Sequence, residues 1–159
     1  MPFYQTDIEG LLIFEPKVFE DSRGYFFESY NEKIFQQQGI NCRWVQDNQS
    51  SSSYGVIRGL HYQLNPDAQS KLVRVLEGVI MDAAVDIRKK SSTYGKTFCI
   101  ELSSFNNKQL FIPPGFAHGF SVLSEKAVVL YKCDGFYNKE NEGGILYKDP
   151  ALNIDWKIP

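Results

Sequence analysis

The chain has 159 residues, 43% hydrophobic, 14% aromatic and 23% charged, with a net charge of −2. That length suits one domain (1–159) built on a single core, and the apolar share excludes a disordered chain. The longest apolar runs, Leu11–Phe14 and Ala127–Tyr131, fall far short of the ~18–20 residues of a membrane span, and a mildly acidic chain lacks the general basic surface of a nucleic-acid binder.

From the N-terminus, Leu11–Phe14 and Gly24–Tyr30 predict strands, with a turn at Asp21–Gly24. Asn31 then caps a short helix, Ile34 and Phe35 face inward, and Gly39 stops it. By composition alone, the serine run Ser50–Ser53 reads as a flexible surface loop. Further strands are expected over Val56–Gln63, Lys71–Leu76, Val79–Arg88, Thr97–Leu102, Gln109–Ile112, Gly119–Leu123 and Ala127–Lys132. Turn signals separate them at Asn65–Asp67, Glu77–Gly78, Asn106–Asn107, Pro113–Gly115 and Ser124–Lys126. Many short strands with one short N-terminal helix predict an all-β chain folded as an antiparallel jelly-roll (cupin-like) barrel.

Alternation is clearest in Val79–Arg88. Val79, Met81, Ala83, Val85 and Ile87 share one face; Ile80, Asp82, Ala84, Asp86 and Arg88 share the other. The two aspartates read equally as solvated residues or as partners of Arg88 and Arg74. On an unbroken strand His61 shares a face with Ile57, Gly59 and Gln63, and Arg58 points away. Both reach one site only if Gly59 marks a bulge or twist. Tyr131 shares its face with the small residues Val129 and Ala127, and His118 follows a Pro-Pro-Gly turn.

The two histidines, His61 and His118, lack the HxH spacing of metal-binding cupins, so ligand counting argues against a metal. A two-His, one-carboxylate set completed by Asp82 or Glu142 stays open at this point. Nucleophile elbow, P-loop and dinucleotide fingerprint are all missing, which predicts no such cofactor. Cys42, Cys99 and Cys133 are odd in number and form no CxxC pair. With no basic-then-apolar leader in MPFYQTDIEG, they point to a reducing, cytoplasmic setting.

Five segments together resemble the dTDP-4-dehydrorhamnose 3,5-epimerase family in order: QDNQSSSSYGVIRGLHYQ, KLVRVLEGVIMDAAVDIR, SSTYGK, IPPGFAHGFSVLSE and YKDPALNIDW. The resemblance spans about Leu11 to Trp156. It implies a cofactor-free and metal-free jelly-roll homodimer that acts on a dTDP-sugar in dTDP-L-rhamnose biosynthesis. It also implies that His61 is the catalytic base, Tyr131 the proton donor and Lys71 the cation beside the keto oxygen. Arg23, Phe26, Glu28, Gln46, Asp47, Asn48, Arg58, His118 and Glu142 are the implied substrate contacts. In the family the acid that pairs with the base lies in a segment beyond the DPALNIDW stretch. Within this sequence, which ends at Pro159, Asp82 is the carboxylate expected to orient His61.

These residue types suit the chemistry. A ketone at sugar C4 acidifies C3–H and C5–H through an enolate. A neutral imidazole removes such a proton near pH 7, an ammonium stabilises the enolate oxygen, and a phenol on the opposite wall returns a proton with inversion. Guanidinium groups such as Arg23 and Arg58 suit a pyrophosphate, and Phe26 suits a thymine ring. A C3-only epimerase or ketoisomerase of a related sugar nucleotide shares the same base. A non-catalytic sugar-nucleotide binder shares the same pocket.

Overall fold

Strands with two apolar faces need two coverings, and the arrangement of this chain supplies both. A computed structural model describes residues 2–159. In chain order the strands are β1 (Phe3–Gln5), β2 (Leu12–Phe14), β3 (Phe19–Asp21) and β4 (Gly24–Phe26), followed by helix α1 (Glu32–Gln37). Then come β5 (Gln46–Ser53), β6 (Ile57–Gln63), β7 (Lys71–Glu77), β8 (Val79–Asp86), β9 (Thr97–Ser103) and β10 (Gln109–Ile112). The last are β11 (Phe116–Val122), β12 (Lys126–Cys133) and β13 (Glu142–Gly144).

A six-stranded sheet has the order β1-β2-β10-β7-β12-β5, and a five-stranded sheet the order β13-β6-β11-β8-β9. All the pairings are antiparallel, and β3 with β4 forms a separate hairpin. The two sheets close on one core, in which Val73, Leu110 and Val129 meet Ile80, Leu102, Phe120 and Val122. This is the expected jelly-roll. Helix α1 packs Phe35 against Leu12, Phe14, Leu72 and Phe111 on the outside of the six-stranded sheet. As expected, Asn31 caps it by accepting the Lys33 N–H.

The period-two reading of β8 holds, yet its aspartate face is not solvated. Asp82 and Asp86 are fully buried. The other face, with Ala83 and Val85, lies under the C-terminal segment, where Trp156 packs with Leu60 and Ala117. The serine run is not a loop. Gln46–Ser53 forms an edge strand that pairs residue for residue with β12, from Ser53 opposite Lys126 to Gln46 opposite Cys133. Backbone pairing to an apolar neighbour holds it, although its side chains carry no hydrophobic alternation. The expected Gly24–Tyr30 strand stops at Phe26, and β1 and β3 are additional three-residue strands. Among the described residues no helix is long and apolar enough to cross a membrane.

Candidate active site

One end of the barrel interior is left open as a cavity of about 730 Å³, within the range of small-ligand sites. Both sheets line it. The six-stranded sheet gives Gln46, Asn48 and Ser50 from β5, Lys71 from β7 and Tyr131 from β12; the five-stranded sheet gives Arg58 and His61 from β6 and His118 from β11. Glu142 closes one side from β13.

Strand parity alone would separate Arg58 from His61. Gly59 resolves this. It adopts φ +130°, and the β6–β11 register slips between His118 and Phe120. The strands run so close that a Cβ on Gly59 would lie 2.5 Å from Gly119 Cα and 2.8 Å from the His118 carbonyl oxygen. The twist turns both side chains into the cavity, as the sequence required. It also sets His61 opposite His118 in register.

Lys71 is partly buried, and its ammonium lies 5.5 Å from the Tyr131 ring centroid. Burial pulls its pKa below the ordinary lysine value, against the smaller pull of Cys133, Asp82 and Glu142. Among the described residues it makes no ion pair to a carboxylate, so its charge is left to a ligand. Burial likewise raises the Tyr131 phenol above its usual value, keeping the proton on. The Tyr131 and His118 rings meet edge to face at 6.5 Å. Arg58 is steadied by donating from Nε to Ser52 Oγ at 2.9 Å.

Asp82 is not the partner of His61. Its Oδ1 lies 2.7 Å from His118 Nε2, both groups being buried, and its Oδ2 has no hydrogen-bond partner. β8 pairs with β11, which puts Ala84 opposite His118 and Asp82 opposite Phe120, beneath the cavity floor. The carboxylate facing His61 is Glu142, 3.7 Å from Nδ1. Its other oxygen accepts the Tyr137 hydroxyl at 2.9 Å. The His61 side chain is 59% exposed at the cavity mouth, so an incoming ligand can reach it. Among the described residues no three His, Cys, Asp or Glu groups converge. The histidines form two separate His–carboxylate pairs.

Four other expected contacts lie elsewhere. Asp47 alternates with Gln46 and Asn48, points out of the barrel and pairs with Lys132 at 3.1 Å. Arg23 pairs with Asp21 at 2.6 Å within the β3–β4 hairpin. Glu28 accepts from Asn31 beside the helix start. Phe26 is 67% exposed on the hairpin. The cavity in turn contains Tyr62, Gln63, Gln69, Tyr137 and Tyr147, which the sequence reading missed. Tyr62 and Gln63 fall within the GLHYQ segment, so parity around Gly59 was the signal that could have found them. Tyr147 comes from an irregular stretch held by the Trp156 indole, which donates to its carbonyl at 2.9 Å.

The family model for dTDP-4-dehydrorhamnose 3,5-epimerase matches residues 5–159. A dTDP-4-dehydrorhamnose 3,5-epimerase of Shigella flexneri is 54% identical, over 99% of this chain and 88% of that protein. A crystal structure of the corresponding protein from Elizabethkingia anophelis superposes with TM-score 0.94 at 56% identity, over 99% of this chain and 86% of that one. A dTDP-6-deoxy-D-glucose-3,5-epimerase of Legionella pneumophila, solved with dTDP-4-keto-L-rhamnose, gives TM-score 0.95 at 49% identity, over 99% and 84%. With a family match over residues 5–159 laid over a cavity that carries a histidine, a phenol and an ammonium, the chain belongs to the dTDP-4-dehydrorhamnose 3,5-epimerase family of enzymes.

Proposed function

We propose that this enzyme inverts C3 and C5 of dTDP-4-keto-6-deoxyglucose by proton abstraction, enolate formation and reprotonation, within dTDP-L-rhamnose biosynthesis. The observation that carries the reading is the division of chemistry between two facing sheets. His61 stands on the five-stranded sheet, with Lys71 and Tyr131 together on the six-stranded one. His61 removes the proton from C3 or C5. The Lys71 ammonium receives the charge that develops on the C4 oxygen, in a dry site where such an interaction is strong. The Tyr131 phenol, kept protonated by burial, returns a proton from the opposite face. His118, its Nε2 hydrogen-bonded to Asp82 Oδ1, presents a fixed ring orientation towards the sugar. Arg58 faces the diphosphate.

The displaced contacts fit a homodimer. Arg23 and Phe26, on a hairpin with Phe19, Tyr25 and Phe26 all more than half exposed, reach a nucleotide end of a cavity if one copy lends the hairpin to the other. The dTDP-sugar is then the small partner, with neither nucleic acid nor membrane required, and the setting is cytoplasmic. The whole chain acts as one domain. Incubation of the purified protein with dTDP-4-keto-6-deoxyglucose tests the reaction: product couplings in the proton spectrum should show both centres inverted, and an unchanged sugar overturns it. Mixing His61→Asn with Phe26→Ala chains tests the hairpin. Hybrid dimers should regain activity through one intact site, and a mixture as inactive as its parents contradicts the exchange.

A further inference from the structure

The segment joining β12 to β13 carries the cavity-lining Tyr137 and leads into Glu142, the first residue of β13. It contains only one short 3-10 turn, Lys139–Asn141, so ties from outside must fix its path. Gln69 donates to the Gly135 carbonyl at 2.7 Å, and Gln63 accepts the Asn138 N–H at 3.1 Å. Gln46 accepts the Tyr137 N–H more weakly, at 3.4 Å, and the Leu64 N–H bonds the Asn141 carbonyl at 2.8 Å. Where the segment leaves β12, Asp134 Oδ1 accepts the Ser70 N–H at 2.6 Å. A further tie holds the segment's far end from two points at once. Asp67, in the β6–β7 loop, accepts through one carboxylate oxygen from Asn138 Nδ2 at 2.8 Å and from Asn141 Nδ2 at 2.6 Å. Two amides three residues apart thus converge on one charge, and hydrogen bonds to a charged acceptor are roughly twice as strong as neutral ones.

We propose that Asp67 is a positioning residue of the active site: it clamps the Tyr137-bearing segment across the cavity mouth and so sets affinity for the sugar nucleotide. Gln46, Gln63 and Gln69 also tie the segment, but they line the cavity themselves, so their substitution would touch the ligand. Asp67 does not line it. It acts only through the segment, holding the Tyr137 hydroxyl on Glu142 and Glu142 opposite His61. The effect falls on binding rather than on the chemical step, because His61, Lys71 and Tyr131 all stand on strands that Asp67 leaves in place.

The proposal rests on the epimerase reading, and steady-state kinetics with dTDP-4-keto-6-deoxyglucose test it. Asp67→Ala should raise KM about tenfold and leave kcat within about threefold. Asp67→Asn keeps an oxygen acceptor without the charge and should give a KM between those of the parent and Asp67→Ala. Asn141→Ala should raise KM as well, and the double variant no further than Asp67→Ala alone, since both remove one clamp. Asn138 is less suitable, because it also caps the 3-10 turn. An unchanged KM in Asp67→Ala, a loss confined to kcat, or additive effects in the double variant overturns the clamp. An inactive wild type would instead sink the epimerase reading, and amide exchange of residues 134–141 would still decide the clamp. Faster exchange in Asp67→Ala supports it, and unchanged exchange refutes it.

Discussion

Substitution of Gly59 by alanine probes the crossing on which the site is built. An added Cβ would meet Gly119 Cα at 2.5 Å and the His118 carbonyl oxygen at 2.8 Å, and both are backbone atoms that cannot swing aside. At φ +130° the backbone is also one that L side chains rarely adopt. Backbone strain of about 1–3 kcal/mol and overpacking of about 1–3 kcal/mol combine to about 4 kcal/mol. At roughly 2–4 °C per kcal/mol for a domain of this size, Tm should fall by about 10 °C. Gly55→Ala is the control: φ is +81°, but nothing lies within 4 Å of its Cβ. Strain alone should cost about 1–2 kcal/mol there, or a few degrees. Relief of the clash moves β6 from β11 and displaces Arg58 and His61, so kcat/KM should drop at least ~10²-fold in Gly59→Ala. Calorimetry of both variants with turnover measurements checks the argument. Equal Tm shifts, or a Gly59→Ala enzyme with parental stability and turnover, would refute it.

Asp86 should make stability pH-dependent. Burial works to raise its pKa, but hydrogen bonds from Arg88, Ser91 and Thr93 prevail and hold it well below the usual carboxylate range. Its stabilisation is therefore full above an unfolded value of about 3.9 and lost as pH falls through the folded value. Urea unfolding from pH 6 to pH 2 should show the advantage of wild type over Asp86→Asn shrinking below about pH 4. Asp82→Ala leaves the buried His118 Nε2 without its partner and should cost about 2 kcal/mol, read as a lower urea midpoint, with kcat falling as the ring loses its orientation. Lys71→Met should lower kcat by ~10²–10³-fold while dTDP affinity by calorimetry changes little. Comparable losses in kcat and dTDP binding would place the lysine at the nucleotide instead.

Strands with apolar runs packed on one or both faces, such as β7, β8, β10 and β12, could be read directly, because burial selects their residues. β5 could not. Its polar side chains Gln46, Asn48 and Ser50 face the cavity and Asp47 faces outward, so no hydrophobic period exists to find. The same alternation explains Asp47: resemblance carried the whole Gln-Asp-Asn triplet into the site, and the strand geometry splits it. Asp82 sits beside His118 rather than the expected His61, because the alternation of β8 reveals a residue's face but not the neighbouring strand. Pairing of β8 with β11, rather than with β6, hands it to His118. Glu142 meets His61 only through the late pairing of β13 on β6, where Gly144 stands opposite His61, a contact with no local sequence signal. Arg23, Phe26 and Glu28 lie outside the cavity of their own chain, on a hairpin and a helix start whose distance from it no periodicity encodes.

The proposed proton abstraction by His61 is the step on which the rest depends. Proton NMR in deuterated water with dTDP-4-keto-6-deoxyglucose observes it directly, as loss of the C3 and C5 signals. Wild type should exchange both positions, and His61→Asn should exchange neither while still binding dTDP. Continued deuterium incorporation at C3 and C5 by His61→Asn would contradict the assignment of the base.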